Sequence, residues 1–285
     1  MNYSLPHPLI LDNLLRQWLL EDIGRGDHTT TSIFGDHKRG KAYWVLKEGG
    51  VVAGLPIAER VFRLLDDTVK CERLAEEGEE KEKGSIIFTC EGKVSALLTG
   101  ERLALNLVMR LSGIATATRQ YVAAIADYPT QLVDTRKTTP GLRMLEKYAS
   151  RVGGAVNHRL GLDDAILIKD NHIQAAGGIS QAIALVRKQI PYPLAIEVET
   201  NNLSQVKEAV EHQADIIMLD NMGVGEMREA VAFIRQHNPR ILIEASGNVR
   251  LDNIRQIAST GVDYISTSAF ITRAPWLDIS MKIAP

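Results

Sequence analysis

The chain has 285 residues, 45% of them apolar and 24% charged, with a formal net charge of −2 at pH 7. This is the profile of a soluble globular protein with a sizeable core, and the near-neutral balance argues against a nucleic-acid surface. No apolar run reaches the roughly 18 residues of a membrane span, and the opening lacks a basic segment followed by a continuous apolar one, so the expected compartment is the cytoplasm, with no membrane partner.

In chain order, the first 112 residues predict an α+β domain. A helix over 9–23 runs into a polar turn at 24–30, then strand-like Ala42–Leu46 and Val51–Gly54 flank a Glu48-Gly-Gly50 turn. A helix over 57–65 leads to a charged loop at 76–84, read as a solvated turn, and a strand from Ser85. The helix over 101–112, with Leu103, Leu107 and Leu111 on one face, is expected to bridge to the next domain. The last residues, 270–285, are expected to pack back on this first domain. Cys71 and Cys90 have no CxxC spacing and read as reduced, buried thiols. His7, His28, His37, His212 and His237 show no zinc-binding spacing.

From about Ala115 one phrase repeats: a short apolar run ending in polar residues, then an amphipathic segment of helical length. The runs begin near 131, 165, 194, 214, 241 and 262. Buried strands alternating with helices mean a parallel sheet. Polar residues close each run (Arg136, Lys169, Glu199, Asp220, Ser246, Ser268), as they do at the mouth of a (β/α) barrel. Six strands, or seven counting 153–159, predict an incomplete (β/α) barrel over 113–269. The first strand lacks the Gly-rich turn of a dinucleotide fold.

Two stretches concentrate charge: Asp134-Thr-Arg-Lys-Thr-Thr-Pro-Gly-Leu-Arg143 and Asn157–His172. They bring together Arg136, Lys137, Arg143, His158, Arg159 and Lys169. So many cations repel one another unless an anion or acidic partners compensate, so the expected ligand is a small anion. Arg136 and Arg159 can each grip a carboxylate with two hydrogen bonds, whereas lysines suit diphosphate. Thr139 is read as the N-cap of the next helix and Pro140 as its first residue. Glu199 and Asp220 end neighbouring strands and could hold Mg²⁺, although Glu197 has the same strand parity as Glu199. Glu244-Ala-Ser-Gly-Asn248 and Ser266-Thr-Ser268 follow the last two strands, where barrels commonly bind phosphate.

These stretches, with Glu21–Thr30, Thr99–Leu107, Arg110–Thr116, Gly153–Asp164, Glu197–Glu199 and Asp215–Asn221, make the chain resemble the quinolinate phosphoribosyltransferase family nearly end to end. The resemblance implies decarboxylating phosphoribosyl transfer from phosphoribosyl pyrophosphate to quinolinate in NAD biosynthesis. By the same resemblance, Arg136, His158, Arg159 and Lys169 hold quinolinate, with Arg102 reaching in from the second subunit of a homodimer. Phosphoribosyl pyrophosphate then lies across Lys137, Glu199 and Asp220 with Mg²⁺, its 5-phosphate near Ser246, Gly247 and Ser268. Glu199 rather than Glu197 falls at the family's acidic position. The last strand departs from the pattern: Ser268 and Thr272 stand where many members have glycine and histidine. Three rivals differ in chemistry: a relative acting on another acid such as nicotinate, a Schiff-base lyase using Lys169, and a non-catalytic anion binder. The dicarboxylate-sized set Arg102, Arg136, His158 and Arg159 argues against nicotinate, which carries one carboxylate.

Overall fold

The computed structural model describes residues 5–34 and 37–284. Its elements run α1 (Pro8–Ile23), α2 (His28–Phe34), β1 (Arg39–Leu46), β2 (Gly50–Val51), α3 (Leu55–Leu65), β3 (Lys70–Arg73), β4 (Glu80–Lys81), β5 (Ile86–Lys93) and α4 (Val94–Ala124). They continue with β6 (Gln131–Val133), α5 (Arg143–Gly153), β7 (Ile166–Ile168), α6 (Asp170–Ala176), α7 (Ile179–Arg187), β8 (Ile196–Thr200), α8 (Leu203–Glu211), β9 (Ile216–Asp220) and α9 (Val224–His237). The chain ends with β10 (Leu242–Ser246), α10 (Ile254–Ala258), β11 (Tyr264–Ser266), α11 (Ala269–Thr272) and β12 (Ile279–Ile283).

Two compact units emerge. The first takes the residues up to Arg119, Met144–Gly154 and those from Ala274 onward; the second takes Gln120–Arg143 and Ala155–Arg273. The expected boundary after residue 112 therefore falls inside α4, and the C-terminal segment of the first unit begins at Ala274, after α11. The predicted helix over 101–112 is the middle of a longer one, whose buried positions continue through Ile114, Ala115 and Thr118.

The first unit is built on a four-stranded sheet ordered β12-β1-β5-β3, with antiparallel pairs throughout. Trp44, Phe62 and Phe88 fill its core, their ring centroids 5.1–6.3 Å apart. Two expectations need correction. The polar turn at 24–30 is cut short at His28, because the Asp27 carboxylate accepts the Thr30 N–H at 3.0 Å and starts α2. The charged loop at 76–84 holds β4, which pairs with β2. Strand β3, too polar to stand out, places Cys71 directly opposite Cys90; both are free thiols, Cys90 buried and Cys71 partly so. Burial pushes each thiol up to about 12, so neither is a ready nucleophile.

Helices α4 and α5 are joined within this unit by a buried ion pair. Arg110 donates through Nε (3.0 Å) and Nη2 (2.8 Å) to Glu146, and through Nη1 to the Ala274 carbonyl. Glu146 is fully buried. Gly113 lies so close to the Pro275 carbonyl that any Cβ there would collide with it.

The second unit carries a six-stranded parallel sheet ordered β6-β11-β10-β9-β8-β7. Its first strand in sequence has the last as neighbour, the connectivity of a curling barrel, but edge strands β6 and β7 do not pair. The predicted seventh strand over 153–159 contributes one parallel bridge, Val133 to Val156. It goes no further because the next amide, His158 N–H, donates to the Asp134 carboxylate (3.0 Å) rather than to a strand carbonyl. At the opposite strand ends, Asp215 accepts the Ile196 N–H and Asp263 accepts the Ile243 N–H while holding Arg235 at 2.7 Å through both oxygens. Carboxylates there fasten structure, which leaves the C-terminal ends for chemistry.

The helix expected to start at Pro140 starts instead at Arg143: Gly141 takes φ +82° and the Leu142 N–H donates to the Thr139 carbonyl (3.0 Å), so residues 139–142 make a turn before α5.

Arg110→Ala leaves the buried Glu146 carboxylate without its guanidinium, and loss of one partner of such a pair costs about 3–5 kcal/mol. Urea unfolding should show that drop with an unchanged slope; a loss below about 1 kcal/mol would place the pair among ordinary surface bridges.

Candidate active site

The C-terminal strand ends of the second unit surround a cavity of about 720 Å³. Its lining includes Arg136, Lys137, His158, Arg159, Lys169, Glu199, Asp220, Ser246, Gly247 and Ser268. The residues of this unit expected to hold the substrates or Mg²⁺ thus converge. Arg102, exposed on α4 of the first unit, is not among them. Arg143 also stays outside the lining: its Nε donates to Thr138 Oγ1 (3.1 Å) and its Nη1 to the Leu160 carbonyl (3.4 Å), tying the two cationic stretches together. Sequence reasoning grouped it with the site cations by proximity along the chain, which cannot distinguish a brace from a ligand.

The acid-binding end is organised from beneath by Asp134, which ends β6 with its side chain fully buried. One oxygen accepts the His158 N–H (3.0 Å) and the other the Asn157 side-chain amide (2.6 Å). These bonds fix the backbone that carries His158 and Arg159. Arg159 donates to the Ala165 carbonyl (3.0 Å), and the Nε atoms of Arg159 and Arg136 are buried without a hydrogen-bond partner. Burial, reinforced by repulsion from Arg136, pulls the Arg159 guanidinium below its ordinary pKa, while Glu197 opposes the shift. Two arginines held this way form a strained positive field that an anion would relieve.

Behind them lies a cluster that sequence reasoning missed. His158 Nε2 is 2.9 Å from Glu197 and 3.6 Å from Glu244, and both carboxyl groups are 3% exposed. One atom from each of the three side chains falls within 4.8 Å of the others. Burial and the nearby Glu197 charge push Glu244 up to about 8, while His158 and a Ser266 hydrogen bond pull the other way. The parity of Glu197 placed it inside the barrel, but nothing in the sequence joined it to Glu244, because the pairing is made across strands β8, β9 and β10.

The other end is acidic and polar. Glu199 is raised by burial first and the Asp220 charge second, while Lys169 Nζ, 3.9 Å away, counters. Asp220 accepts the Asn221 side-chain amide (2.7 Å), and Asn221 accepts that of Asn248 (3.0 Å). Asn221, Gly247 and Asn248 all take left-handed backbone conformations, with φ of 55°, 92° and 51°. The Asn221 N–H donates to the Ser246 carbonyl (2.9 Å), which ties the end of β9 to the end of β10 beside the Gly247-Asn248 turn. The Asp-Asn and Gly-Asn pairs were visible signals, since asparagine enters the left-handed region more readily than other side-chain-bearing residues. Also lining the cavity, Ser268 caps α11 and its carbonyl accepts Thr272 Oγ1 (3.0 Å). Thr272 and Arg273 both line the cavity, and Arg273 was not anticipated.

The family model for the N-terminal domain of quinolinate phosphoribosyl transferase matches residues 27–112, and that for the C-terminal domain matches 114–282. The chain belongs to this family. A Synechocystis protein named as a probable nicotinate-nucleotide pyrophosphorylase (carboxylating) is 63% identical, over 98% of this chain and 94% of its own. A Bacillus subtilis protein of the same name is 44% identical over 96% of this chain and 94% of its own. The solved structure of NadC from Streptococcus pyogenes superposes with a TM-score of 0.94 at 40% identity, covering 99% of both chains. The two family models together account for this quinolinate phosphoribosyltransferase relative from residue 27 to 112 and from 114 to 282.

Asp134→Ala would remove the carboxylate that accepts from the His158 N–H and the Asn157 side-chain amide, at about 1–3 kcal/mol for each hydrogen bond lost. The expected result is a melting temperature lowered by several degrees together with loss of anion binding. Wild-type affinity in the variant would show that Asp134 does not set the acid-binding end.

Proposed function

We propose that the protein transfers phosphoribosyl from phosphoribosyl pyrophosphate to quinolinate, with decarboxylation, giving nicotinate mononucleotide, pyrophosphate and CO2 for NAD biosynthesis. The carrying observation is the two-ended cavity: paired, partly desolvated arginines at one end, a carboxylate pair beside the left-handed turn at Gly247 and Asn248 at the other.

At the acid end Arg136, His158, Arg159 and Lys169 hold quinolinate through its two carboxylates, and Lys137 faces the diphosphate. Ser246, Gly247 and Ser268 take the 5-phosphate. Glu199 and Asp220 suit Mg²⁺, since the burial and mutual repulsion that raise Glu199 are what a divalent cation would offset. Bound there, Mg²⁺ would supply charge neutralisation for the diphosphate. The arginines orient the pyridine nitrogen toward the anomeric carbon; as that bond forms, the bond to pyrophosphate breaks and Lys137 stabilises the departing charge. Glu199 and Asp220 sit where positive charge develops on the ribose. N-ribosylation makes the ring cationic, so the C2 carboxylate leaves as CO2 with the electron pair remaining on C2 beside N⁺, and a proton then fills that position. No enzyme nucleophile is needed.

Arg102 has an exposed side chain on α4, and we assign it to the cavity of a second subunit in a homodimer. The near-neutral charge and the lack, among the described residues, of a helix long and apolar enough to cross a membrane fit a cytoplasmic enzyme with small-molecule partners.

Carboxyl-labelled quinolinate should release labelled CO2 only when phosphoribosyl pyrophosphate is present, with nicotinate mononucleotide in equal amount; folded protein that releases none would reject the reaction. Arg136→Ala and Arg159→Ala should each weaken quinolinate binding by about 2–5 kcal/mol, and unchanged kinetics would remove the residue from the acid site. Mixing inactive Arg102→Ala with inactive Lys169→Ala protein should restore activity through hybrid dimers. No recovery after verified subunit exchange would confine Arg102 to its own chain or to structure.

A further inference from the structure

The acid-binding end contains an apparent contradiction: a pocket built for a dianion has two buried carboxyl groups directly behind its histidine. His158 Nε2 lies 2.9 Å from Glu197 and 3.6 Å from Glu244, and one oxygen of each carboxyl group is buried with no hydrogen-bond partner. Two full negative charges there would cancel the field of His158 and Arg159 over the distance at which a substrate carboxylate must bind. They would also repel each other, since one atom from each of Glu197, Glu244 and His158 lies within 4.8 Å of the others.

We propose that Glu244 is a positioning residue that acts as a neutral carboxyl group behind His158, beside the Glu197 carboxyl that contacts the imidazole at 2.9 Å, so that the acid end keeps its net positive field. This rests on the proposed activity and adds a limit on it: ionisation of Glu244 should loosen the grip on the dicarboxylate without touching the diphosphate end. The groups facing Glu244 set that balance. They are Glu197 from β8, Asp134 from the end of β6, His158 from the segment after α5 and Ser266 from β11, while β9 presents the uncharged Met218 beside it. Two carboxylates disfavour its ionisation, the histidine and the hydroxyl favour it, and burial decides the outcome. The resulting rise to about 8 means that the neutral form predominates below that pH and the charged form above it. Folding has the same sign: relative to Glu244→Gln, the wild-type protein loses stability as pH rises from the ordinary carboxyl range through about 8.

The test compares wild type with Glu244→Gln, which keeps the shape and cannot ionise. KM for quinolinate and for phosphoribosyl pyrophosphate is measured from pH 6.5 to 9.5, each protein normalised to its own value at pH 6.5. The wild-type quinolinate KM should climb above pH 8 by about tenfold per unit beyond any rise in the variant, while the phosphoribosyl pyrophosphate curves coincide. Superimposable quinolinate curves overturn the proposal, as does an equal separation in both substrates, which would indicate general destabilisation. Should the variant fail to fold, titration calorimetry of quinolinate into wild type, in two buffers of different ionisation enthalpy, gives a second reading. Proton uptake on binding at pH 8.5, absent at pH 6.5, supports the neutral carboxyl, and no uptake refutes it. Turnover without these pH effects sinks this inference alone, whereas absence of turnover by folded protein sinks the proposed activity.

Discussion

The arrangement depends above all on one buried carboxylate at the seam of an unclosed barrel. Strands β6 and β7 leave a gap in the sheet, and the segment 155–159 enters it with one bridge. Asp134 takes over where the strand ladder stops, accepting from the His158 amide and the Asn157 side chain. A closed barrel would have committed those backbone groups to a ladder and turned alternate side chains outward. The interruption instead lets consecutive residues His158 and Arg159 serve the same cavity.

Charge placement follows from that opening. Cations crowd the side nearest the seam, while the acidic pair Glu199 and Asp220 and the Gly247-Asn248 turn occupy the ends of the central strands. Every carboxylate near the cations is either an anchor or an orienting partner. Asp134 binds amides, Glu197 holds His158, and Glu199 faces Lys169. The pocket is therefore a set of charges poised out of balance, completed by what enters it.

Much of this was legible in the sequence. Buried parallel strands announce themselves as apolar runs, and polar residues at their ends mark the mouth, so Arg136, Lys169, Glu199, Asp220 and Ser246 could be placed by position alone. The six-strand count held for the same reason. Other features depend on partners distant in sequence. Strands β3 and β4 are too short and polar to show a period, and exist through pairing with β5 and β2. Glu244 resembled any acidic residue in a strand until folding set it beside Glu197 and His158. Thr139 and Pro140 had the chemistry of a helix start, but Gly141 in a left-handed conformation outweighed them. Arg273 follows a four-residue helix whose role no periodicity could reveal.

The two units are interleaved along the chain, because Met144–Gly154 and the C-terminal segment belong with the first while Gln120–Arg143 and Ala155–Arg273 build the second. During synthesis the N-terminal sheet thus waits for its outermost strand: β12 pairs with β1, 233 residues earlier by the register of Leu46 and Ile279 (279 − 46), and leaves the ribosome after both units' other strands. Until then β1 presents an open hydrogen-bonding edge, a site for mispairing with a neighbouring nascent chain. The molecule is consequently indivisible as a genetic object: no single cut separates its units, and deletion of β12 removes part of the domain that was made first.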